Sequence, residues 1–374
     1  MYRPAWVEID LAAVRFNLRT IKAKVGSTKI MAVVKADAYG HGAVEVSRVA
    51  LEEGAYALAV SNMEEALELR NAQFACPILI LGWSPESCYK AAVENEITLA
   101  IFDLAEAQKL AQTAQALGKK AKVHLKVDTG MSRIGIMPDE EGLKTAAAII
   151  GLKDLAVEGI FSHFAKADER DKTFAYQQLE RFNKFTALIE ENTGQKFILK
   201  HIANSAAIME MPEAYLDMVR AGIILYGNYP SKEVERADFP LKEAMSVKAL
   251  VARVQKLPQG TTIGYGGTYR LSKDTSVATI PVGYADGYNR RLSNRGLVEY
   301  QGRLLKVIGN VCMDQFMVEI ADDLKINVGD TVTVMCGKCP EISAESIADT
   351  LGSISYEIDC LFKLRLRRIF KDEK

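Results

Sequence analysis

The sequence has few residues of the kinds that build metal centres, disulfides or membrane spans. Six cysteines and four histidines are spread over 374 residues, and only Cys336 and Cys339 form a C-x-x-C. No second pair completes a zinc site, so we interpret them as ordinary thiols near a turn and expect no metal. No apolar run approaches the ~20 residues that span a bilayer. The N-terminus lacks the apolar stretch of a signal peptide, which predicts a cytoplasmic protein.

An excess of charge of one sign is also missing. Lys plus Arg number 47 and Asp plus Glu number 48, which leaves a net charge of −1. This balance excludes a protein built around binding of a phosphate backbone. Hydrophobic residues make up 49% and charged residues 25%, the usual proportions of a folded chain with a sizeable core. The length suits two domains.

Short apolar runs alternate with longer amphipathic stretches in the first part of the chain. The strand-like runs cover residues 29–35, 56–61, 78–83, 97–102, 122–127, 155–161, 198–203 and 217–220. Segments between them repeat apolar residues at helical spacings of three and four, for example over 63–71, 104–117, 139–150 and 172–191. Eight such alternations predict an α/β fold, a (β/α)8 TIM-type barrel. The alternative is a doubly wound sheet, whose dinucleotide-binding form opens with a G-x-G-x-x-G that is absent here.

Strand patterns dominate after about residue 235. They cover residues 246–256, 275–281, 302–311, 316–320 and 331–335. One helix-like stretch lies at 343–351, and residues 361–370 alternate apolar with basic side chains, as in a strand with a solvated basic face. We therefore predict a barrel over residues 12–235, a link at 231–240, and a β-rich C-terminal domain over 236–374.

Functional side chains of a barrel lie where its strands end. The first strand ends at Lys35, and a lysine that closes an apolar run is costly to bury without a role. Burial lowers the pKa of a lysine and gives a nucleophilic amine, as in Schiff-base lysines. The alternative is a side chain whose stem lines the barrel while its charged head reaches water.

Three further polar side chains are placed at the same end. Arg133 follows the fifth strand in a glycine-flanked loop, suited to hold a carboxylate by paired hydrogen bonds. His163 follows the sixth strand and His201 lies in the seventh. Each histidine is either a proton shuttle or a buried core residue.

The loops after the last two strands are the usual phosphate site of barrels. Ser205 is predicted there as the N-cap of a short helix, whose free N–H groups favour an anion. Its hydroxyl and the backbone N–H groups of Gly222 and Ile223, just after Arg220, form a predicted phosphate cradle. A lysine, a phosphate site and two arginines around one barrel mouth predict pyridoxal phosphate bound through Lys35.

These residues, together with glycine- and tyrosine-rich segments of the second half, resemble the alanine racemase family from end to end. The stretch 34–42 is similar to the cofactor-lysine signature of that family. Its other motifs are matched in order at 131–136, 162–165, 203–206, 220–223, 265–269, 283–288 and 311–315. Ser132 stands where glycine is common. The resemblance implies a homodimeric isomerase that uses pyridoxal 5′-phosphate and interconverts L- and D-alanine, supplying D-alanine for peptidoglycan. It also implies that residues 1–11 join the β domain, which completes the partner's site.

The resemblance assigns roles to individual residues. Lys35 would carry the cofactor and act as one base, with Tyr265 of the other subunit as the opposite base. Arg220 would face the pyridine nitrogen, while Arg133 and the backbone N–H of Met313 from the partner would position the substrate carboxylate. The cofactor-binding set is completed by Tyr39, His163, Asn204, Ser205, Gly222, Ile223 and Tyr356. Lys126 stands where a carbamate often forms, and the supporting positions are His201, Tyr284, Cys312 and Asp314.

Three other functions share parts of this pattern. A broad-specificity amino-acid racemase has the same architecture but tends to be exported. An amino-acid decarboxylase of the same plan is expected to place an acidic residue where Arg220 stands. A non-enzymatic cofactor-binding protein would consist of the barrel alone, without the residues after 235.

Overall fold

The computed structural model describes residues 3–362 and 365–372. The chain begins with strand β1 (Ala5–Asp10) and helix α1 (Leu11–Val25). The side chain of Asp10 accepts the N–H of Ala13 and caps α1, and Gly26 ends the helix at a φ of 62°. The strand and the helix therefore meet at one residue.

Eight parallel strands form the barrel. They are β2 (Lys29–Val33), β3 (Ala57–Val60), β4 (Ile78–Ile80), β5 (Thr98–Ile101), β6 (Ala121–Lys126), β7 (Leu155–Phe161), β8 (Leu199–His201) and β9 (Met218–Ala221). They pair in the order β8-β7-β6-β5-β4-β3-β2-β9. Backbone bonds from Asp217 to Lys200 and from Arg220 to Ala203 link the two outer strands, so the ring is nearly closed. Each predicted run overlaps one of these strands, and the barrel prediction is confirmed.

Helices cover the outside of the barrel. They are α2 (Ala43–Glu52), α3 (Met63–Asn71), α4 (Tyr89–Glu94), α5 (Leu104–Ala116), α6 (Glu140–Ile150), α7 (Thr173–Thr193) and α8 (Ser205–Glu210). No helix follows β9 directly, only the short helical turn Ile223–Tyr226, and α1 packs beside it. The side-chain amide of Asn17 in α1 donates to the Leu225 carbonyl at 3.1 Å. The first helix of the chain thus completes the helical ring.

The second half of the chain is rich in β-structure, as predicted. It contains β10 (Met245–Leu250), β11 (Arg253–Leu257), β12 (Thr262–Ile263), β13 (Tyr269–Arg270), β14 (Thr275–Ile280), β15 (Leu297–Tyr300), β16 (Arg303–Ile308), β17 (Phe316–Ile320), β18 (Thr331–Cys336) and β19 (Arg367–Lys371). It also contains α9 (Ala344–Leu351) and α10 (Ser355–Leu361). The main sheet has the order β11-β14-β17-β16-β15-β18-β10-β1-β19, and β12 pairs with β13 in a separate hairpin. Strand β1 thus lies between β10 and β19, although the domain boundary at 235/236 stays a prediction.

Two details of the β-domain prediction are wrong. The run 246–256 is not one strand, because the chain changes partners in its middle: the N–H of Val251 bonds to Asp330 and that of Ala252 to Thr279. The segment 361–370 is not one strand with a solvated basic face either. Helix α10 reaches Leu361, residues 363 and 364 lie outside the described residues, and the half-buried Arg368 donates to the carbonyls of Gly40 and Phe362.

Among residues 3–362 and 365–372, no helix is both long and apolar enough to cross a membrane.

Candidate active site

A cavity of about 420 Å³ opens at the carboxyl ends of the barrel strands. It is lined by Val33, Lys35, Ala36, Tyr39, Leu81, His163, Asn204, Ser205, Arg220, Gly222, Ile223, Tyr356, Glu357 and Cys360. Its size is that of a small-molecule or cofactor site. The structure therefore brings together in one cavity every position predicted from the sequence to bind the cofactor.

Lys35 follows β2 by two residues and leads directly into an unusual turn. Ala36, Asp37, Ala38 and Tyr39 all have positive φ, between 54° and 56°, so four L-residues in succession are left-handed. Such a conformation costs roughly 1–2 kcal/mol per residue, and it persists only where its surroundings enforce it. Glu65 accepts the N–H of Ala36 at 2.9 Å, and the Asp37 carboxylate accepts the N–H of Ala43 at 2.8 Å. The turn places Lys35 and Tyr39 in the same cavity.

The cavity makes the Lys35 amine less basic than a lysine in water. Burial lowers its pKa, and the positive charge of Arg133 lowers it further. A lowered pKa raises the fraction of neutral amine, the form that acts as a nucleophile or accepts a proton. The predicted chemistry of this lysine is therefore compatible with its environment.

Three hydroxyl groups and one glycine line part of the same cavity. The Ser205 hydroxyl accepts the N–H of Gly222 at 3.1 Å. A Cβ on Gly222 would lie 3.2 Å from the Tyr39 hydroxyl oxygen and 3.4 Å from that of Ser205. Burial raises the pKa values of the phenols of Tyr39 and Tyr356, so both stay protonated and able to donate. We call this arrangement of Tyr39, Ser205, Gly222 and Tyr356 the hydroxyl cradle.

One detail of this predicted cradle is wrong. The N-cap of α8 is Asn204, which has an extended backbone and accepts the N–H of Ala207 through its side chain. Ser205 is the first residue of the helix, and its hydroxyl is directed to Gly222 instead. Asparagine is as good an N-cap as serine, so the sequence alone did not decide between the two neighbours.

Arg220 lies at the base of the cavity, and no carboxylate of residues 3–362 or 365–372 is bonded to it. Its NH2 donates to Nδ1 of His163 at 3.0 Å and its NH1 to Nδ1 of His201 at 2.9 Å. Further bonds go to the carbonyls of Ser162, His201 and Ile202. Burial, with a contribution from Arg133, lowers the pKa of Arg220 to about 9, so it is still a cation at neutral pH.

A guanidinium donates and does not accept hydrogen bonds, so it fixes the tautomers of its histidine partners. Nδ1 of His163 and of His201 must accept, which places the proton of each neutral ring on Nε2. Nε2 of His201 lies 2.9 Å from Nδ1 of His124, which extends the chain of bonds. Burial, followed by the charge of Arg220, lowers the pKa of His163 and His201 well below the ordinary value. His163 is therefore a neutral donor through Nε2.

The sequence reasoning missed His124. It lies in β6 two residues before Lys126, and alternate residues of a strand share a face. The available signal was a buried-strand histidine two residues before a candidate site lysine, on the same face of the strand.

Lys126 is buried in the barrel near Arg133. Burial, followed by the charge of Arg220, lowers its pKa to about 7. Its amine donates to the Val127 carbonyl at 2.8 Å. Arg133 itself is exposed at the end of the loop that follows β6. Arg133 is therefore close to Lys35, Lys126 and Arg220.

The loop that carries Arg133 is shaped by one carboxylate. Oδ1 of Asp128 accepts the N–H groups of Gly130, Met131 and Ser132 at 2.9–3.0 Å. Ser132 has a φ of 57°, the left-handed conformation that favours glycine. A serine where glycine is common is thus a local strain in the loop.

Apart from Tyr356, the candidate residues of the β domain do not line this cavity in the same chain. A separate concave surface encloses a volume of about 610 Å³ and is lined by Tyr265, Cys312, Met313 and Asp314, among others. The exposed fractions of Tyr265 and Met313 are 73% and 53%, high values for large apolar side chains. The described residues include no hydrogen-bond partner for the N–H of Met313, whose carbonyl accepts the N–H of Ala285. The structure thus places these groups on an open surface.

Tyr284 lies next to this surface on an adjacent loop. Its N–H bonds to the carbonyl of Cys312 at 3.1 Å. A Cβ on Gly283 would come within 2.3 Å of the Met313 carbonyl, so only glycine permits this approach. The Asp314 carboxylate accepts a bond from Arg365 at 2.6 Å.

The C-x-x-C thiols lie apart from both surfaces. Cys336 and Cys339 line another cavity, of about 790 Å³, beside β1 and β10. Both are free thiols, and burial raises the pKa of each. A thiol with a raised pKa is a poor nucleophile at neutral pH, so this pair adds no reactive group to the site.

Comparison with known proteins covers almost the whole chain. Residues 9–230 match the family described as alanine racemase, N-terminal domain, and residues 244–370 match alanine racemase, C-terminal domain. A protein of Desulforamulus reducens named alanine racemase is 48% identical over 99% of this chain and 100% of its own length.

Solved structures point to the same family. An alanine racemase of Clostridium difficile 630 has a TM-score of 0.96 at 40% identity and covers 100% of this chain, with 97% of its own chain covered. An alanine racemase of Bartonella henselae with covalently bound pyridoxal phosphate has a TM-score of 0.86 at 29% identity, over 98% of this chain and 99% of its own.

Proposed function

Because the chain belongs to the alanine racemase family, we propose that it interconverts L-alanine and D-alanine with pyridoxal 5′-phosphate bound on Lys35. The named activity of the Desulforamulus relative and the covalent cofactor of the Bartonella relative support this. We further propose that the D-alanine serves peptidoglycan synthesis, as the family implies.

The hydroxyl cradle is the observation that carries the cofactor assignment. A Cβ on Gly222 would fill the space between the hydroxyls of Tyr39 and Ser205, and its absence leaves room for a phosphate. The basic side chains of Lys35, Lys126 and Arg133 all lie close to the Arg220 cation. Among the described residues that line the cavity, Glu357 is the only carboxylate. A site with this charge fits a ligand with several negative groups.

When bound, pyridoxal phosphate withdraws electrons from Cα of the amino acid and so eases removal of its proton. Arg220 would face the ring nitrogen. Since a guanidinium only donates, Arg220 would keep that nitrogen without a proton, and we infer that this limits side reactions such as transamination. The decarboxylase alternative is disfavoured, because Arg220 occupies the position where that function is expected to have an acidic residue. Carbonyl oxygens and histidines accept the hydrogen bonds of this arginine.

Racemisation needs a proton removed from one face of Cα and returned to the other. The lowered pKa of Lys35 favours the neutral amine that accepts a proton, and we assign it to D-alanine. We assign the L-face to Tyr265 of the partner subunit. A phenol with a pKa near ~10 is a poor base at neutral pH and needs help from a donor. Arg220 holds His163 with its N–H on Nε2, which supplies such a donor to the phenol.

The same assignment requires a homodimer. Tyr265, Tyr284 and Met313 are exposed, and none of them lines the Lys35 cavity of the same chain. We propose that this concave surface covers the barrel mouth of a second copy. The N–H of Met313 would then reach the substrate carboxylate together with the partner's Arg133.

Lys126 is proposed to carry a carbamate. Carbon dioxide reacts with a neutral amine, and a pKa of about 7 leaves much of this amine neutral at physiological pH. The modification would replace a cation beside Arg133 by an anion. Arg133 would then gain a counter-ion that fixes its orientation toward the substrate.

A chiral assay of the purified protein with pyridoxal phosphate tests the proposal, with Tyr265→Phe as the informative variant. We expect the wild type to racemise alanine and the variant to lose racemisation in both directions. Exchange of the Cα proton of D-alanine with solvent deuterium, driven by Lys35, should fall far less. Absence of racemisation by the wild type would refute the function. Equal loss of exchange from both enantiomers would refute the two-base assignment.

A further inference from the structure

The turn that carries Tyr265 has little stiffness of its own. It spans Tyr265–Gly267, and Gly264, Gly266 and Gly267 have φ values of 68°, 73° and 55°. Glycine restricts the backbone least of all residues, so three glycines beside one tyrosine leave its position poorly defined by local preference. The bond inside the turn, from the N–H of Gly267 to the Gly264 carbonyl, is 3.2 Å long. A base that must approach one particular proton needs contacts from outside the turn to fix its position.

Asn310 provides a contact from a neighbouring loop. Its side-chain N–H donates to the backbone carbonyl of Tyr265 at 2.8 Å. The backbone of Asn310 lies against the same turn, since a Cβ on Gly264 would come within 3.5 Å of its N and O atoms. A Cβ on Gly266 would lie 3.7 Å from the Asn310 amide nitrogen. The side-chain amide of Asn310 therefore holds the turn at the backbone of Tyr265, the residue that carries the phenol.

Asn310 is itself fixed from both sides. The N–H of Gly309 donates to the side-chain oxygen of Asn294 at 2.6 Å, and the N–H of Val311 donates to the Ser293 hydroxyl at 2.9 Å. A Cβ on Gly309 would come within 2.6 Å of the Ile263 carbonyl, which brings this loop against the β12–β13 hairpin. The donor of Asn310 is thus presented from an ordered backbone.

Asn294 reaches the other end of the Tyr265 turn. Its amide nitrogen donates to the Thr268 hydroxyl at 3.2 Å, while its oxygen accepts the N–H of Gly309. Asn294 has a φ of 60°, a conformation that asparagine tolerates better than most residues. The two amides, Asn294 and Asn310, form what we call the asparagine clamp. It joins three loops around Tyr265.

We propose that the asparagine clamp is a positioning device for Tyr265, which holds the phenol where it meets the α-proton of L-alanine. The proposal rests on the proposed function, in which Tyr265 serves the L-face and Lys35 the D-face. Neither asparagine is placed to contact the substrate. Loss of the clamp is expected to slow proton transfer at Tyr265 and to leave transfer at Lys35 unchanged.

Asn310→Asp is the test variant, because it keeps the size of the side chain and removes the donor. A carboxylate would also repel the Tyr265 carbonyl. Asn310→His is the conservative variant, since Nδ1 of histidine can donate from a similar position. Gln259→Glu is the matched control, an exposed amide-to-carboxylate change in the same domain. Asn294→Ala breaks the clamp at its other end, and keeps the proposal testable if Asn310→Asp does not fold.

Primary isotope effects with α-deuterated alanine separate positioning from a general loss of structure. For Asn310→Asp we expect racemisation to fall by about tenfold to a hundredfold, the range for a misplaced catalytic group. The isotope effect should rise with L-alanine and fall with D-alanine, and deuterium exchange of D-alanine should become faster than its racemisation. Asn310→His should keep most activity, and Gln259→Glu should match the wild type.

Two results would overturn the proposal. One is wild-type rates in both Asn310→Asp and Asn294→Ala. The other is a loss in both directions with unchanged isotope effects, which would show a structural role only. Failure of the proposed function is distinct, because the wild type itself would then not racemise alanine, or Tyr265→Phe would racemise it as fast as the wild type.

Discussion

Nδ1 of His41 lies 3.0 Å from the carbonyl oxygen of Ala38, in the middle of the left-handed turn that follows Lys35. The same nitrogen lies 3.2 Å from the Tyr39 carbonyl, so it must carry the proton. The ring stacks on Tyr226 at 4.5 Å, and the Tyr226 hydroxyl donates to the carbonyl of Val33 at 2.7 Å. A neutral buried imidazole therefore helps to enforce the strained turn that brings Lys35 and Tyr39 into one cavity.

This arrangement predicts acid sensitivity. Burial lowers the pKa of His41 to about 4 from an ordinary 6.5, so the unfolded chain takes up the proton more readily than the folded one. The stability due to the neutral ring is fully present above pH 6.5 and is lost as the pH falls toward 4. The shift corresponds to about 3 kcal/mol. In His41→Asn, which keeps a donor but does not titrate, the melting temperature should be lower at pH 8 but fall less between pH 6.5 and 4. An unchanged slope would contradict this role.

The hydroxyl cradle predicts a selective defect in Gly222→Ala. The added methyl group would lie 3.2 Å from the Tyr39 hydroxyl, in the space assigned to the phosphate. We expect affinity for pyridoxal phosphate to fall by about 2 kcal/mol, a factor of roughly 30. Affinity for pyridoxal, which lacks the phosphate, should change little. Spectrophotometric titration of the apoprotein measures both, with Gly151→Ala as the control. Equal losses for the two ligands would place the phosphate elsewhere.

Much of the fold could be predicted because the barrel strands are continuous apolar runs and the helices between them have a clear period. The left-handed turn could not, since Ala36, Ala38 and Tyr39 have no left-handed preference of their own. Contacts with Glu65, far along the chain, and with the neighbouring His41 impose it. The Lys35, Arg133 and phosphate-loop positions followed from the rule that barrel sites lie at strand ends. Tyr265 and Met313 could be assigned only by family resemblance, because they lie on an open surface away from the Lys35 cavity of the same chain.

Lys126 is predicted to bind carbon dioxide more completely as the pH rises through 7, since its pKa is about 7 and the neutral amine reacts. Carbon-13 NMR with labelled bicarbonate should show a carbamate signal in the wild type and none in Lys126→Ala. The variant should lose activity and regain part of it with acetate, which can restore a negative charge beside Arg133. No signal at pH 8 and no recovery would exclude the modification.

The proposed sharing of the site between subunits predicts complementation between two inactive variants. Mixed Lys35→Ala and Tyr265→Ala chains form a hybrid dimer in which one site is wholly wild type. After random exchange, about a quarter of all sites should be complete, because half of the dimers are hybrids and each has one such site. Activity is compared before and after mixing. No recovery, despite subunit exchange shown by native mass spectrometry, would count against a site shared between subunits.

The attachment of the cofactor to Lys35 is the central claim, and borohydride reduction of the holoprotein tests it most directly. Reduction fixes the cofactor on its lysine, and mass spectrometry of the digested protein locates the pyridoxyl group. We predict the label on Lys35, two residues after β2 and in the same cavity as the hydroxyl cradle. A pyridoxyl group on Lys126 or on any other lysine would contradict the account.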